Sequence, residues 1–214
     1  MQVFRSGISA IATLTAAFLL SGCVEAGNSS RFGTAPSESF IARAPMGWER
    51  HTGNKDWTIE ALAAVTAKDA LLSSKVPADI DTWCPAYKDA PVEQRRAFWV
   101  GLMNAVAKHE STWNPRASGG GGRYIGLMQI SPATARLYKC DATSVSALKD
   151  GGENLSCAVE IFSKNVARDG VVAGNGNRGI GRDWGPFRKS SKRAEMAAAT
   201  SAQPWCAGGK QAKL

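Results

Sequence analysis

Glu110 is the residue on which chemistry would turn. It ends the run Ala105-Val106-Ala107-Lys108-His109-Glu110, and Ser111-Thr112-Trp113-Asn114-Pro115 follow. Upstream, Trp99, Met103 and Val106 recur at helical spacing, and Glu110 is the next member of that stripe; Phe98, Leu102 and Ala105 widen it. A carboxylate that continues an apolar stripe lies against a wall that resists its charge. Such burial raises a carboxyl pKa, which a general acid working near neutral pH requires. Ser111 has a hydroxyl that can hydrogen-bond locally and hold the helix end. Taken alone, Glu110 fits a solvated helix C-terminus or a core salt bridge better than a catalytic acid.

A second motif lies downstream. Gly126-Leu127-Met128-Gln129-Ile130 is followed by Ser131 and by Ala133-Thr134-Ala135. Alone it would be a buried segment before a capped helix. With Glu110-Ser111 and with Asn154-Leu155 it resembles the soluble lytic transglycosylase (SLT) domain family, which carries Glu-Ser and Gly-Leu-Met-Gln-Ile signatures on a lysozyme-like domain. The resemblance covers residues 98–168 and fades beyond both ends. It implies a lysozyme-like single domain with a glycan-binding groove, and a lyase acting on peptidoglycan glycan strands without a cofactor. In that reading Glu110 protonates the β-1,4 bond between N-acetylmuramic acid and N-acetylglucosamine. It then takes a proton from the muramyl C6 hydroxyl, which closes a 1,6-anhydro ring. Ser111, Ser118, Met128 and Gln129 match positions that line or support the groove. Asn154 matches the start of the helix that backs it.

The chain departs from the family pattern twice. Arg123-Tyr124 stands where Gly-Ala is usual before Gly126, and no Tyr-Asn-Ala-Gly motif is found. Asp183-Trp184-Gly185-Pro186 lies in roughly the region of that motif. Tyr124 and Trp184 are therefore candidates to orient the acid or stack on sugar, and core aromatics are the alternative for both.

Two rival functions remain. Ordinary glycosidases use two carboxylates, and no second acid belongs to the motif. A lysozyme-like hydrolase would need one to activate water, with Asp141, Asp150 and Asp183 as candidates. A non-catalytic peptidoglycan-binding lipoprotein is the reading from another class.

Several elements must position these residues. Apolar spacing predicts a helix from Thr58 to Ser73 with Ile59, Leu62, Val65 and Ala70 on one face. Pro77 and the Asp79–Asp81 region break it. Pro91 is expected in the first turn of the helix that carries Glu110. A glycine-rich loop, Gly119 to Gly122, follows Pro115. Ser131-Pro132 reads as N-cap and N1 of a short helix through Tyr138. A helix over 153–167 turns Leu155, Ala158, Val159, Phe162 and Val166 inward. Residues 170–181 are rich in Gly and Asn and read as loop, and a last helix is expected around Arg193 to Ala199. No long alternating pattern suggests strands, so the class is mainly α.

The N-terminus indicates the compartment. Arg5 and an apolar run from Ile8 to Leu20 have the order of an export signal, and Ser21-Gly22-Cys23 after them resembles the bacterial lipobox. The run is too short to span a bilayer with margin. The expected division is a lipoprotein signal peptide over 1–22, a flexible tether over 23–47 rich in Ser, Gly, Ala and Pro, a domain over 48–206 and a tail over 207–214. Cys23 would carry the lipid. Val24 follows it where a retention signal would often place Asp, which favours the periplasmic face of the outer membrane in a diderm cell.

The sequence holds five cysteines. With Cys23 lipidated, Cys84, Cys140, Cys157 and Cys206 remain, and export makes disulfides the expected state. Four cysteines allow three pairings. Cys140–Cys157 closes a short loop, Cys84–Cys206 ties the domain's beginning to its end, and these are the expected pairs. Metal is not expected: no C-x-x-C pair occurs, and His51 and His109 lie far from ligand spacing. The formal charge is +8, which suits an acidic partner or serves solubility. Nucleic acid is not expected as a partner for an exported chain; stem-peptide carboxylates and anionic headgroups fit better. The basic stretch from Arg182 to Lys192 reads as a solvated face, with wall or envelope-partner binding as the alternative.

Overall fold

The structure is a computed structural model and describes residues 46–50 and 57–207. Backbone contacts divide the chain into Met1–Thr34 and Ala35–Leu214, and every described residue belongs to the second unit. The expected export signal, Cys23, His51 and most of the expected tether lie outside the described residues.

Six α-helices and one very short hairpin make up the described elements, so the class is mainly α as expected. They are α1 (Trp57–Ala67), α2 (Ile80–Trp83), α3 (Val92–Ser111), β1 (Ser118–Gly119), β2 (Tyr124–Ile125), α4 (Pro132–Tyr138), α5 (Gly151–Asp169) and α6 (Ser190–Ser201). Single 3₁₀ turns precede α1, precede α5, and fill parts of the segment between α5 and α6.

Helix α3 is the centre. Its whole middle, Ala97 to Met103, is buried, with Phe98, Trp99, Leu102 and Met103 fully so. Apolar groups on both stripes of the helix explain why it is covered from several sides by α1, α6 and the first 3₁₀ turn. The one polar atom of Trp99 is satisfied there: its Nε1 donates to the Tyr87 hydroxyl at 3.0 Å. Helix α5 has the expected inward face, with Leu155, Ala158, Val159, Phe162 and Val166 all buried. Its Asp150 N-cap accepts from the Glu153 N–H at 3.0 Å. At α4, the Ser131 hydroxyl accepts from the Thr134 N–H at 3.0 Å with Pro132 in the first turn, as the sequence indicated.

Three boundaries differ from expectation. Helix α1 stops at Ala67, and a series of turns follows to Ser74. Ile59 is 47% exposed and Ala70 is exposed, because packing on α5 and α3 selects Trp57, Ala61 and Val65 with Thr58 and Leu62 as the inner face. The break lets Asp69 pair with Arg96 of α3 and turns Leu72 into the core. Pro91 is the N-cap of α3 and precedes its first turn. Helix α6 is longer than the expected Arg193 to Ala199.

Both expected disulfides are present, Cys84–Cys206 and Cys140–Cys157. The first ties the segment after α2 to the segment after α6. The second fixes the end of α4 against α5.

Candidate active site

The last turn of α3 places Glu110 beside an open cleft of about 520 Å³. The chain then turns sharply. Thr112 and Trp113 both adopt left-handed backbone conformations, with φ of 53° and 61°. Such conformations cost about 1–2 kcal/mol each for non-glycine residues. Local bonds hold them: the Ala107 carbonyl accepts from the Trp113 N–H at 3.3 Å, and the Trp113 Nε1 donates to the Asn104 carbonyl at 3.0 Å. The turn directs the following hairpin back towards Glu110.

That hairpin and the motif after it are one unit. Ser118 pairs with Ile125 and Gly119 with Tyr124. Ile125 and Ile130 then exchange backbone bonds at 3.1 and 3.0 Å, which closes Gly126 to Gln129 into a tight loop. Gly126 has φ of 80°, and a Cβ there would collide with the Leu148 carbonyl and the Asn154 amide, so the position accepts only glycine. Asn154 is fully buried behind the loop. Its Nδ2 donates to the carbonyls of Ile125 (3.0 Å) and Leu148 (2.9 Å), and its Oδ1 accepts from the Met128 N–H (2.8 Å). One side chain thus gives the Met128 N–H its partner and ties the tight loop to the turn before α5.

The eight site residues expected from sequence separate by place. Glu110, Tyr124, Gln129 and Trp184 line the cleft. Ser111, Met128 and Asn154 lie behind it. The Ser111 hydroxyl is within donating distance of the carbonyls of Ala107 (3.2 Å) and Leu127 (2.9 Å), and Met128 is fully buried. Ser118 is exposed on β1 and does not line the cleft.

Of the two aromatic candidates, Trp184 is nearly buried. Its Nε1 donates to the Met128 carbonyl at 2.8 Å and its ring meets Phe162 edge-on. It is both core aromatic and cleft wall. Tyr124 is 42% exposed and presents its ring at the surface. Gln129 is held by its own Nε2, which donates to the Gly126 carbonyl at 2.9 Å.

Electrostatics mark Glu110. Burial pushes its carboxyl from 4.5 up to about 7, and the Lys192 ammonium opposes that rise. No side chain among the described residues hydrogen-bonds the Glu110 carboxyl in the absence of substrate, so it is open to a ligand in the cleft. His109 beside it is held below its usual pKa, first by burial.

Sequence reasoning missed part of the cleft. Gly119, Gly120, Gly185 and Pro186 line it, as do Arg188, Lys189 and Lys192 from the stretch expected to be a solvated face. Distant segments meet here, and no spacing rule joins them to Glu110. Of the three aspartates considered as a second carboxylate, Asp183 alone lines the cleft. It accepts from the Tyr138 hydroxyl at 2.8 Å and from Asn165 Nδ2 at 2.5 Å. Asp150 caps α5, and Asp141 lies beside Cys140. Among the described residues no group of three or more His, Cys, Asp or Glu is arranged to hold a metal, and no helix is long and apolar enough to cross a membrane.

The sequence matches the Transglycosylase SLT domain family over residues 91–197, half of the chain. The chain belongs to the Transglycosylase SLT domain family. The matched span contains Glu110, the Gly126–Ile130 loop, Asn154 and the Asp183–Lys192 wall, so the cleft lies within the SLT domain. Solved structures of Bd0314 DslA are similar to it. A glutamate-to-glutamine mutant is 26% identical with a TM-score of 0.66, and a wild-type form is 26% identical with a TM-score of 0.65. Each match covers 74% of this chain and 96% of that one. Among curated proteins, none matches.

Proposed function

We propose that this SLT-domain protein is a peptidoglycan lytic transglycosylase. It cleaves the β-1,4 bond between N-acetylmuramic acid and N-acetylglucosamine and leaves 1,6-anhydro-N-acetylmuramic acid. The observation that carries this reading is the Glu110 carboxyl, half-buried in the wall of an open cleft and raised to about 7. A carboxyl in that state can deliver a proton to the glycosidic oxygen and recover one afterwards. The bond from that oxygen to muramyl C1 breaks, and the N-acetylglucosamine leaves with the proton. The sugar's own acetamido group stabilises the positive C1. Glu110, now ionised, removes the proton from the C6 hydroxyl, whose oxygen bonds to C1. No water enters, and one carboxyl serves both steps.

Asp183 supports a second reading, a lysozyme-like hydrolase, because it brings another carboxylate into the same cleft. The two differ by one water in the product. Digestion of purified peptidoglycan by the full chain is expected to release anhydromuramyl fragments, read by mass spectrometry. Reducing-end muramic acid in their place would overturn the transglycosylase reading. Glu110→Gln is expected to lose at least 10²–10⁴-fold in rate, the usual contribution of general acid catalysis. A Glu110→Gln chain that binds and cleaves as well as the wild type would remove Glu110 from the mechanism.

The proposal extends to place. The Ser21-Gly22-Cys23 sequence after the apolar run supports export and lipid anchoring at Cys23, at the periplasmic face of the outer membrane in a diderm cell. Metabolic labelling with a fatty acid tests it, and a Cys23→Ala chain that still labels refutes it.

A further inference from the structure

Resting on that reading of the cleft, we infer that Arg188, Lys189 and Lys192 form a subsite for the carboxylates of peptide stems, so that stem-bearing peptidoglycan is preferred over bare glycan.

The cleft is unevenly charged. The hairpin side offers Tyr124, Gln129 and two glycines, all uncharged, while the segment running into α6 offers three cations. Glu110 and Asp183 are the acids that line the same space. Glu110 is largely uncharged below about pH 7, and Asp183 is engaged by Tyr138 and Asn165. Burial holds the His109 pKa below its usual value, which disfavours positive charge there. Glu195, one turn further along α6, is paired with Lys108.

Some of the cations elsewhere in the fold are paired. Arg96 meets Asp69, Lys68 meets Glu160, and Arg182 meets Asp169. Among the described residues the ammonium groups of Lys189 and Lys192 form no salt bridge or hydrogen bond, and the Arg188 guanidinium donates only to the Arg182 carbonyl. Two of these cations also occupy an unfavourable place. Lys189 is the N-cap of α6 and Lys192 lies in its first turn, which holds no acid. The positive end of a helix dipole disfavours cations there. Charge that weakens the helix and forms no salt bridge inside a cleft fits an anionic ligand better than a merely solvated face. A glycan strand supplies such anions only as substituents of its muramyl sugars.

Carbodiimide amidation of peptidoglycan converts stem carboxylates to neutral amides and leaves the glycan intact. Amidase-stripped strands lose the stems and expose the lactyl carboxylate instead. At low salt the full chain is expected to cleave native material about tenfold faster than amidated or stripped material, as three partly screened charge contacts would give. Added salt is expected to abolish the difference. Arg188→Gln/Lys189→Gln is expected to cleave native material more slowly than the wild type does, with amidation then adding little further loss. Lys192 is left in place in this variant because it also acts on Glu110. Equal wild-type rates on native and amidated material at low salt would overturn the subsite without needing a variant. Stripped strands cleaved as fast as native ones would assign the cations to the lactyl group and overturn the stem assignment. Failure to cleave any of the three would overturn the transglycosylase reading itself.

Discussion

The Ser111 hydroxyl lies 2.9 Å from the Leu127 carbonyl and joins the end of the helix that carries Glu110 to the loop that forms part of the cleft. The catalytic candidate and the Gly126–Ile130 motif are therefore one mechanical unit. Asn154 holds the same loop from behind through Met128, Ile125 and Leu148.

Ser111→Ala removes that tie and leaves the Leu127 carbonyl without this donor. The expected stability loss is about 1 kcal/mol, or roughly 2–4 °C in Tm for a domain of this size. Displacement of Glu110 by even a fraction of an ångström is expected to lower kcat about tenfold or more. Thermal unfolding and peptidoglycan turbidity assays measure the two effects. An unchanged kcat would show that the tie is not needed to place the acid.

Burial raises the Glu110 carboxyl from 4.5 to about 7. In the proposed mechanism the acid form is the active one, so kcat/KM is expected to fall as pH rises through about 7. Stability follows the same sign. The folded chain keeps a proton that the unfolded chain releases near 4.5, so this contribution is whole below 4.5 and is lost as pH rises to about 7. The loss amounts to roughly 3 kcal/mol. Glu110→Gln removes it, so the variant's Tm is expected to exceed that of the wild type at pH ~8 and to match it at pH ~4. A Tm difference that does not vary with pH would contradict the raised carboxyl.

Lys192 opposes the burial of Glu110. In Lys192→Gln the Glu110 pKa is expected to rise further. The basic limb of the pH–rate profile then moves to higher pH. A limb that stays in place, or moves down, would show that the ammonium does not act on the acid.

The two disulfides close chain segments of 122 and 17 residues. By chain entropy the longer closure contributes about 4–5 kcal/mol and the shorter about 3 kcal/mol. Cys84→Ala/Cys206→Ala is expected to lower Tm more than Cys140→Ala/Cys157→Ala does, by calorimetry under non-reducing conditions. The reverse order would mean that local packing between α4 and α5 outweighs loop closure.

The sequence by itself determined most of the helices and singled out Glu110. The stripe of Trp99, Met103 and Val106 is a local period, and it pointed Glu110 at the inner side of its helix. Ser131-Pro132 set the start of α4, and the inward face of α5 followed from Leu155, Ala158, Val159, Phe162 and Val166. Cysteine number and loop length indicated both disulfides. These signals lie within a few residues of one another or in simple counts, so no third dimension is needed to read them. Only the tertiary structure decided what faces Glu110. It turned Ile59 outward because neighbouring helices chose another face of α1. It placed Ser111 and Asn154 behind the loop and Tyr124 and Gln129 at the cleft. It made Trp184 a wall by giving its indole N–H the Met128 carbonyl, and it brought Asp183, Arg188, Lys189 and Lys192 to the acid from more than seventy residues away along the chain. Charge on a side chain is legible in sequence, but the distance between two charges is set by packing.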